Sequence, residues 1–224
     1  MKRILVFLIF GTTLIYSEAY QKITFPSLDG LMISAFTYDD KDKSKPFILL
    51  FHQLGYSKGE YLDIMPKLRK MGFNVMAVDL RNGIGVNGIT NETAALVLKK
   101  KVDKSRSAAI NDVRASINYI KKHYSPKKLL LWGSSYSGSI VLMIGGDNPN
   151  VDAVLAFSPG EYFTEKGHTF VRDNVGNLGK PVFLHLQKMN RRTVVLFMML
   201  FLQPKKFILF PRKREYTAQV FYGN

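Results

Sequence analysis

The chain has 224 residues, 46% apolar and 22% charged, with 17 Gly, 9 Pro and no Cys. This excludes a disordered, collagen-like or disulfide-scaffold protein and supports one domain with a full-size core, while the missing cysteines remove thiolate zinc sites, iron–sulfur clusters and a thiol nucleophile together. The net charge of +15 is uneven: residues 183–224 hold eight basic side chains against a single acid, Glu215, and with no zinc-finger spacing or RNP-type aromatic motif a solvated basic surface is expected rather than a nucleic-acid partner.

Met1-Lys2-Arg3, the apolar run Ile4 to Tyr16 and the small residues Ser17 and Ala19 have the form of a secretory signal peptide cut after Ala19. Export to a periplasm or the outside is therefore expected, with the folded domain spanning 20–186 and an atypical basic and apolar tail spanning 187–224. The alternatives for the leader are an uncleaved anchor and a buried first strand, both disfavoured by the shortness of the apolar run and its well-formed basic start.

In the mature chain, Lys22 to Ser27 and Leu31 to Tyr38 are β-rich runs joined by Leu28-Asp29-Gly30, a hairpin signal. Pro46 to Phe51 is a short continuous apolar run, the pattern of a strand covered on both faces. Tyr61 to Met71 carries Leu62, Met65, Leu68 and Met71 at helical spacing and ends at Gly72, which predicts an amphipathic helix with a glycine cap. Phe73 to Leu80 reads as the next buried strand, Arg81 to Asn91 as a Gly/Asn-rich loop, and Asp103 to Tyr124 as a second helix. Lys128 to Trp132, Val151 to Phe157 and Lys180 to Leu186 read as further strands, the first two flanking a helical Tyr136 to Gly146. Strands alternating with helices predict an α/β fold: a mostly parallel sheet with helices on both faces.

Between the strand ending at Trp132 and the helix from Tyr136 stands Gly133-Ser134-Ser135-Tyr136-Ser137-Gly138. A serine in a cramped strand-to-helix turn needs small residues two positions away on each side, and Gly133 and Ser137 meet that need. The turn lifts the Ser135 hydroxyl to a helix N-terminus, where the dipole and free amides favour a developing anion, and the Tyr136 N–H becomes one oxyanion donor.

His52-Gln53-Leu54-Gly55, Asp79-Leu80-Arg81, the Ser135 turn and Phe157-Ser158-Pro159-Gly160 together resemble the α/β-hydrolase family, most closely its dienelactone-hydrolase-like and serine-peptidase-like esterase members, over Lys22 to Leu186. The resemblance implies acyl transfer from an ester or amide carbonyl to water through an acyl-enzyme, on a small-molecule or peptide acyl substrate. It makes Leu54 the source of the second oxyanion N–H and His52 a loop-holding residue. It implies no cofactor, and no ligand cluster points to a metal.

The family pattern breaks where an acid and a histidine should follow the last strand: beyond Leu186 there is no histidine and the one carboxylate is Glu215. Two substitutes follow Ser135 in the required order, Glu161 as acid and His168 as base, with a helix cap and an exposed loop histidine as their alternatives. His185 is expected to pack within its strand and His123 to face water. Thr193 to Leu202 has neither helical nor strand period and is followed by the basic Lys205 to Arg214. One hypothesis is a reading frame shifted near His185 to Asn190, which requires an intact alternative frame in the nucleotide sequence. The other is a tail that docks on an anionic membrane surface. The reading thus leaves open an inactive hydrolase-like protein or a membrane-surface binder, and leaves substrate and oligomeric state undetermined.

Overall fold

A computed structural model describes residues 20–176, 178–187, 206–212 and 215–221. The expected leader, 1–19, and the apolar run 193–202 lie outside the described residues. Eleven strands and five helices are formed among the described residues: β1 (Gln21–Pro26), β2 (Met32–Tyr38), β3 (Phe47–Phe51), α1 (Met65–Lys70), β4 (Asn74–Val78), β5 (Gly85–Val86), β6 (Ile89–Thr90), α2 (Glu92–Lys100), α3 (Ala109–His123), β7 (Leu129–Ser134), α4 (Tyr136–Gly145), β8 (Ala153–Phe157), α5 (Phe170–Asn174), β9 (Val182–Gln187), β10 (Lys206–Arg212) and β11 (Glu215–Phe221).

Nine strands form one sheet in the order β1-β2-β4-β3-β7-β8-β9-β11-β10. Its centre, β4-β3-β7-β8-β9, is parallel, with antiparallel pairs at both sides. The apolar runs of β3 and β4 are buried along their whole length, because each faces a core on both sides. Phe47, Leu49, Phe51, Met76 and Val78 meet α3 and α4 on one face, while Ile48, Leu50, Val75 and Ala77 meet α1 and Tyr61 on the other. The mostly parallel sheet with helices on both faces is the expected architecture.

Several elements differ from expectation, the first three for a local reason. The helix predicted over Tyr61 to Met71 is a 3-10 turn at Lys58–Tyr61 followed by the six-residue α1; Pro66 opens α1 and cannot sit inside a longer helix. The helix predicted from Asp103 begins at Ala109, because the Asp103 carboxylate accepts the Ser105 N–H in a local turn. The loop 81–91 folds into the small hairpin β5–β6, whose Asn87 and Gly88 both take positive φ. Finally, the sheet does not end at Leu186. Part of the 187–224 segment pairs onto it, β11 against β9 and β10 against β11, so the outer edge of β9 is covered.

One buried network ties the first hairpin to the sheet's carboxyl edge. Arg81, 2% exposed, donates from Nε and Nη2 to the two oxygens of Asp112 at 3.0 and 2.7 Å and from Nη1 and Nη2 to Asp29 at 2.7 and 3.0 Å. A further Nη1 bond goes to the Asp103 carbonyl, and Ser27 donates to Asp112 at 2.7 Å. Every donor of the guanidinium is used, the condition under which a buried charge is tolerated.

Asp112→Ala leaves that buried cation short of its bidentate partner and should cost about 3–5 kcal/mol in urea unfolding. The Arg81 guanidinium holds the partly exposed Asp29 carboxyl below its ordinary range. Its stabilising share is therefore complete above the unfolded value of about 3.9 and is lost as pH falls through the lower folded value. The urea midpoints of Asp29→Asn and wild type should accordingly differ at neutral pH and converge below about pH 4.

Candidate active site

The carboxyl ends of the parallel strands carry the candidate groups. Register places Phe51 beside Val78 and Gly133, Ser134 beside Phe157, and Phe157 beside His185. The loops after β3, β4, β7 and β8 therefore start from one edge.

Ser135 occupies the turn between β7 and α4 with φ 56° and ψ −121°, a conformation an L-residue rarely adopts. Its N–H donates to the Phe157 carbonyl at 2.7 Å, and its half-buried side chain makes no capping bond to the helix it precedes. The cramped turn depends on small neighbours. A Cβ on Gly133 would collide with the Ser137 carbonyl, and one on Gly138 would come within 3.0 Å of the Phe157 carbonyl. Ser137 stands where the hydrolase motif has a second glycine. Its hydroxyl is fully used, lying 2.6 Å from the Phe51 carbonyl and accepting the Ser134 N–H at 2.8 Å. That bond fastens the turn to the end of β3.

Tyr136 is the first residue of α4, so its N–H has no partner within the helix. Its ring is wholly buried, its hydroxyl has no hydrogen-bond partner, and burial pushes that phenol well above its ordinary value. Leu54 lies on the loop after β3, 39% exposed. That loop is anchored by His52, whose Nδ1 contacts the Gln53 carbonyl at 2.7 Å while Nε2 accepts the Leu80 N–H at 2.9 Å. Burial lowers the His52 pKa, so a neutral ring is spent on the loop. A bridge between Gly55 and Gly83, with Ile84 N–H donating to the Gly55 carbonyl at 2.9 Å, fastens the same loop to the β4 side.

The structure does not join Ser135, Glu161 and His168 into a triad. Glu161 accepts the N–H groups of Val171 and Arg172 at 2.7 and 2.9 Å, capping α5. His168 is exposed in the connection between β8 and α5 and makes no hydrogen bond to Ser135 or Glu161. His185 is half-buried in β9 with its ring 5.8 Å from Phe157, and His123 is exposed against the Tyr119 ring. Among the described residues no group of three or more His, Asp or Glu is placed to hold a metal ion, and no helix is long and apolar enough to cross a membrane.

One residue at this edge escaped the motif reading. Glu60, in the 3-10 turn after the β3 loop, accepts the Gln53 N–H at 2.8 Å and lies beside Ser134. Its sequence context, Ser57-Lys58-Gly59-Glu60, carries the spacing of a local helix cap, which hides a role across the edge.

Residues 33–189 match the family described as the dienelactone hydrolase family. A thiohydrolase of Arthrinium phaeospermum is 24% identical over 151 residues, which is 62% of this chain and 43% of that protein. The chain thus spans less than half the length of this curated relative. Among solved structures, Est1E from Butyrivibrio proteoclasticus matches with a TM-score of 0.58 at 14% identity, over 82% of this chain and 85% of that one. An esterase of Pyrococcus furiosus matches with a TM-score of 0.54 at 19% identity, over 74% and 67% of the two chains. At such identities these two likenesses speak for the fold. With the family match covering more than half of its length and a parallel sheet carrying a strained serine turn, the chain belongs to the dienelactone hydrolase family and has the α/β-hydrolase fold.

Proposed function

We propose that the chain is a serine hydrolase that cleaves a small acyl compound, an ester or amide, through an acyl-enzyme on Ser135. The observation that carries this reading is the backbone of Ser135 at φ 56°, which sets an uncommitted hydroxyl at the head of α4. The names of the relatives, esterases and a thiohydrolase, favour a small acyl substrate. Ser135 Oγ attacks the carbonyl carbon, its proton passes to a base, and the carbonyl oxygen becomes an anion facing the N–H groups of Leu54 and Tyr136. Collapse expels the leaving group, and water then attacks the acyl-serine by the same route.

The proposed base is His168, carried on the connection that leaves β8 at the same edge. A general base must come within hydrogen-bond reach of the proton it takes, directly or through one water, so this reading requires the exposed connection to bring His168 to Ser135. Glu161 has no part in this scheme, since both its oxygens are held by the N-terminus of α5. The second reading is a hydrolase-like protein without catalysis, favoured by Glu161 being held at α5 and by His168 standing exposed without a bond to Ser135. Export through residues 1–19 belongs to the proposal, whereas a membrane-surface binder working through the basic tail is an alternative to it.

A fluorophosphonate probe separates the two readings. The active reading predicts labelling of wild type, none of Ser135→Ala, and a loss of about a hundredfold or more in rate for His168→Ala. Unlabelled wild type means an inactive site, and full labelling of His168→Ala means another base. Gly133→Ala forces a Cβ against the Ser137 carbonyl; it should lower stability by about 1–3 kcal/mol in urea unfolding and suppress labelling of the folded fraction.

A further inference from the structure

Ser57-Lys58-Gly59-Glu60 has the form of a capping box, in which the glutamate turns back to the N–H of the capping residue. Ser57 does cap its turn, with Oγ accepting the Gly59 N–H at 3.1 Å. Glu60 leaves the box open. Its Oε2 accepts instead the N–H of Gln53 at 2.8 Å, the residue before Leu54, and the Ser134 hydroxyl stands beside the same carboxylate. Glu60 therefore lies between the loop that carries one oxyanion donor and the turn that carries the other.

The remaining bonds of that loop have a common direction. Those made by His52, Gly55 and Tyr56 either stay within the loop or run to residues 80–91 on the β4 side: Leu80, Asn82, Ile84, Gly85 and Asn91. Among the described residues, the Ser137 bond to Phe51 ties the turn to the root of the loop, and Glu60 adds the tie further out, at the residue next to Leu54. An oxyanion pair works only when both donors lie about 2.7–3.1 Å from the developing charge, so the loop's distance from the turn needs its own constraint. A carboxylate suits the task, because a charge-assisted bond to a backbone N–H is short and stronger than a neutral one.

Resting on the reading of Ser135 as nucleophile, we propose that Glu60 is a positioning residue that holds the Leu54 N–H at the spacing from the Ser135 turn at which Leu54 and Tyr136 bind one oxyanion. Burial pushes the Glu60 carboxyl above its ordinary value, while the Gln53 N–H and the Ser134 hydroxyl draw it back. Such opposition marks a carboxylate kept out of water by its position and retained for the bonds it accepts.

The test uses the full chain with Glu60→Gln, whose amide oxygen still accepts a hydrogen bond, and Glu60→Ala, which cannot. The first readout is fluorophosphonate labelling resolved into initial affinity and rate of phosphonylation. The second is the backbone amide resonances of Gln53, Leu54 and Tyr136. Glu60→Ala should shift the Gln53 and Leu54 amides and slow phosphonylation by about tenfold or more with little change in initial affinity. Glu60→Gln should restore most of both. If wild type labels and Glu60→Ala labels equally fast, or if the Leu54 amide does not move, the positioning role is overturned while Ser135 stands. If wild type never labels yet the Leu54 amide responds to Glu60→Ala and is restored by Glu60→Gln, the nucleophile reading fails and the positional tie survives.

Discussion

The site depends on one costly backbone conformation. A serine at φ 56° carries strain of order 1–3 kcal/mol, and such strain persists only where the surroundings over-determine it. Here the surroundings are specific. Gly133 lets the helix start close to the strand, the Phe157 carbonyl receives the Ser135 N–H, and the Ser137 hydroxyl bonds the end of β3. Ser137 in place of a second glycine is consistent with the same turn, because serine is small and its hydroxyl finds two backbone partners. The departure from the family motif adds a fastening.

The turn in turn needs a stiff edge to push against. The central parallel strands are buried on both faces, and Arg81 locks the β4 end to the first hairpin and to α3 through two carboxylates. The part that the proposed reaction requires to move lies outside this frame: the exposed connection that bears His168. Stability resides in the sheet and the Arg81 network, whereas adaptability resides in loops at the carboxyl edge, the usual division in a fold that hosts many chemistries.

What could be read from the residues was set by how local each signal is. The apolar runs of β3, β4 and β7 and the Gly133-to-Gly138 turn are self-contained patterns, and they appear where expected. Asn91 is a good cap for α2, its side chain accepting the Ala94 N–H at 2.8 Å, yet the Gly/Asn-rich stretch that it ends reads as loop and hides the helix start. The hairpin in that stretch rests on Asn87 and Gly88, a turn signal flanked by too few alternating residues to stand out. Pairing of β11 with β9 is a long-range contact with no local signature, and Pro211 within β10 argues against a strand unless it lies at an edge, where β10 lies. Of the candidate site residues, Ser135 and Tyr136 follow from the spacing of the turn and Leu54 from the family resemblance. Glu161 takes the helix-cap role that stands as its alternative reading, whereas Glu60 is hidden because its carboxylate bonds the Gln53 N–H seven residues earlier in the chain.

The measurement closest to the central claim is a crystal structure of the chain after reaction with a small alkyl phosphonofluoridate. Phosphorus should be bonded to Ser135 Oγ, with the Ser135 backbone still at positive φ and the phosphoryl oxygen within hydrogen-bond reach of the N–H groups of Leu54 and Tyr136. Phosphorus on another residue, or a Ser135 drawn into regular helix with its hydroxyl turned into the core, would contradict it.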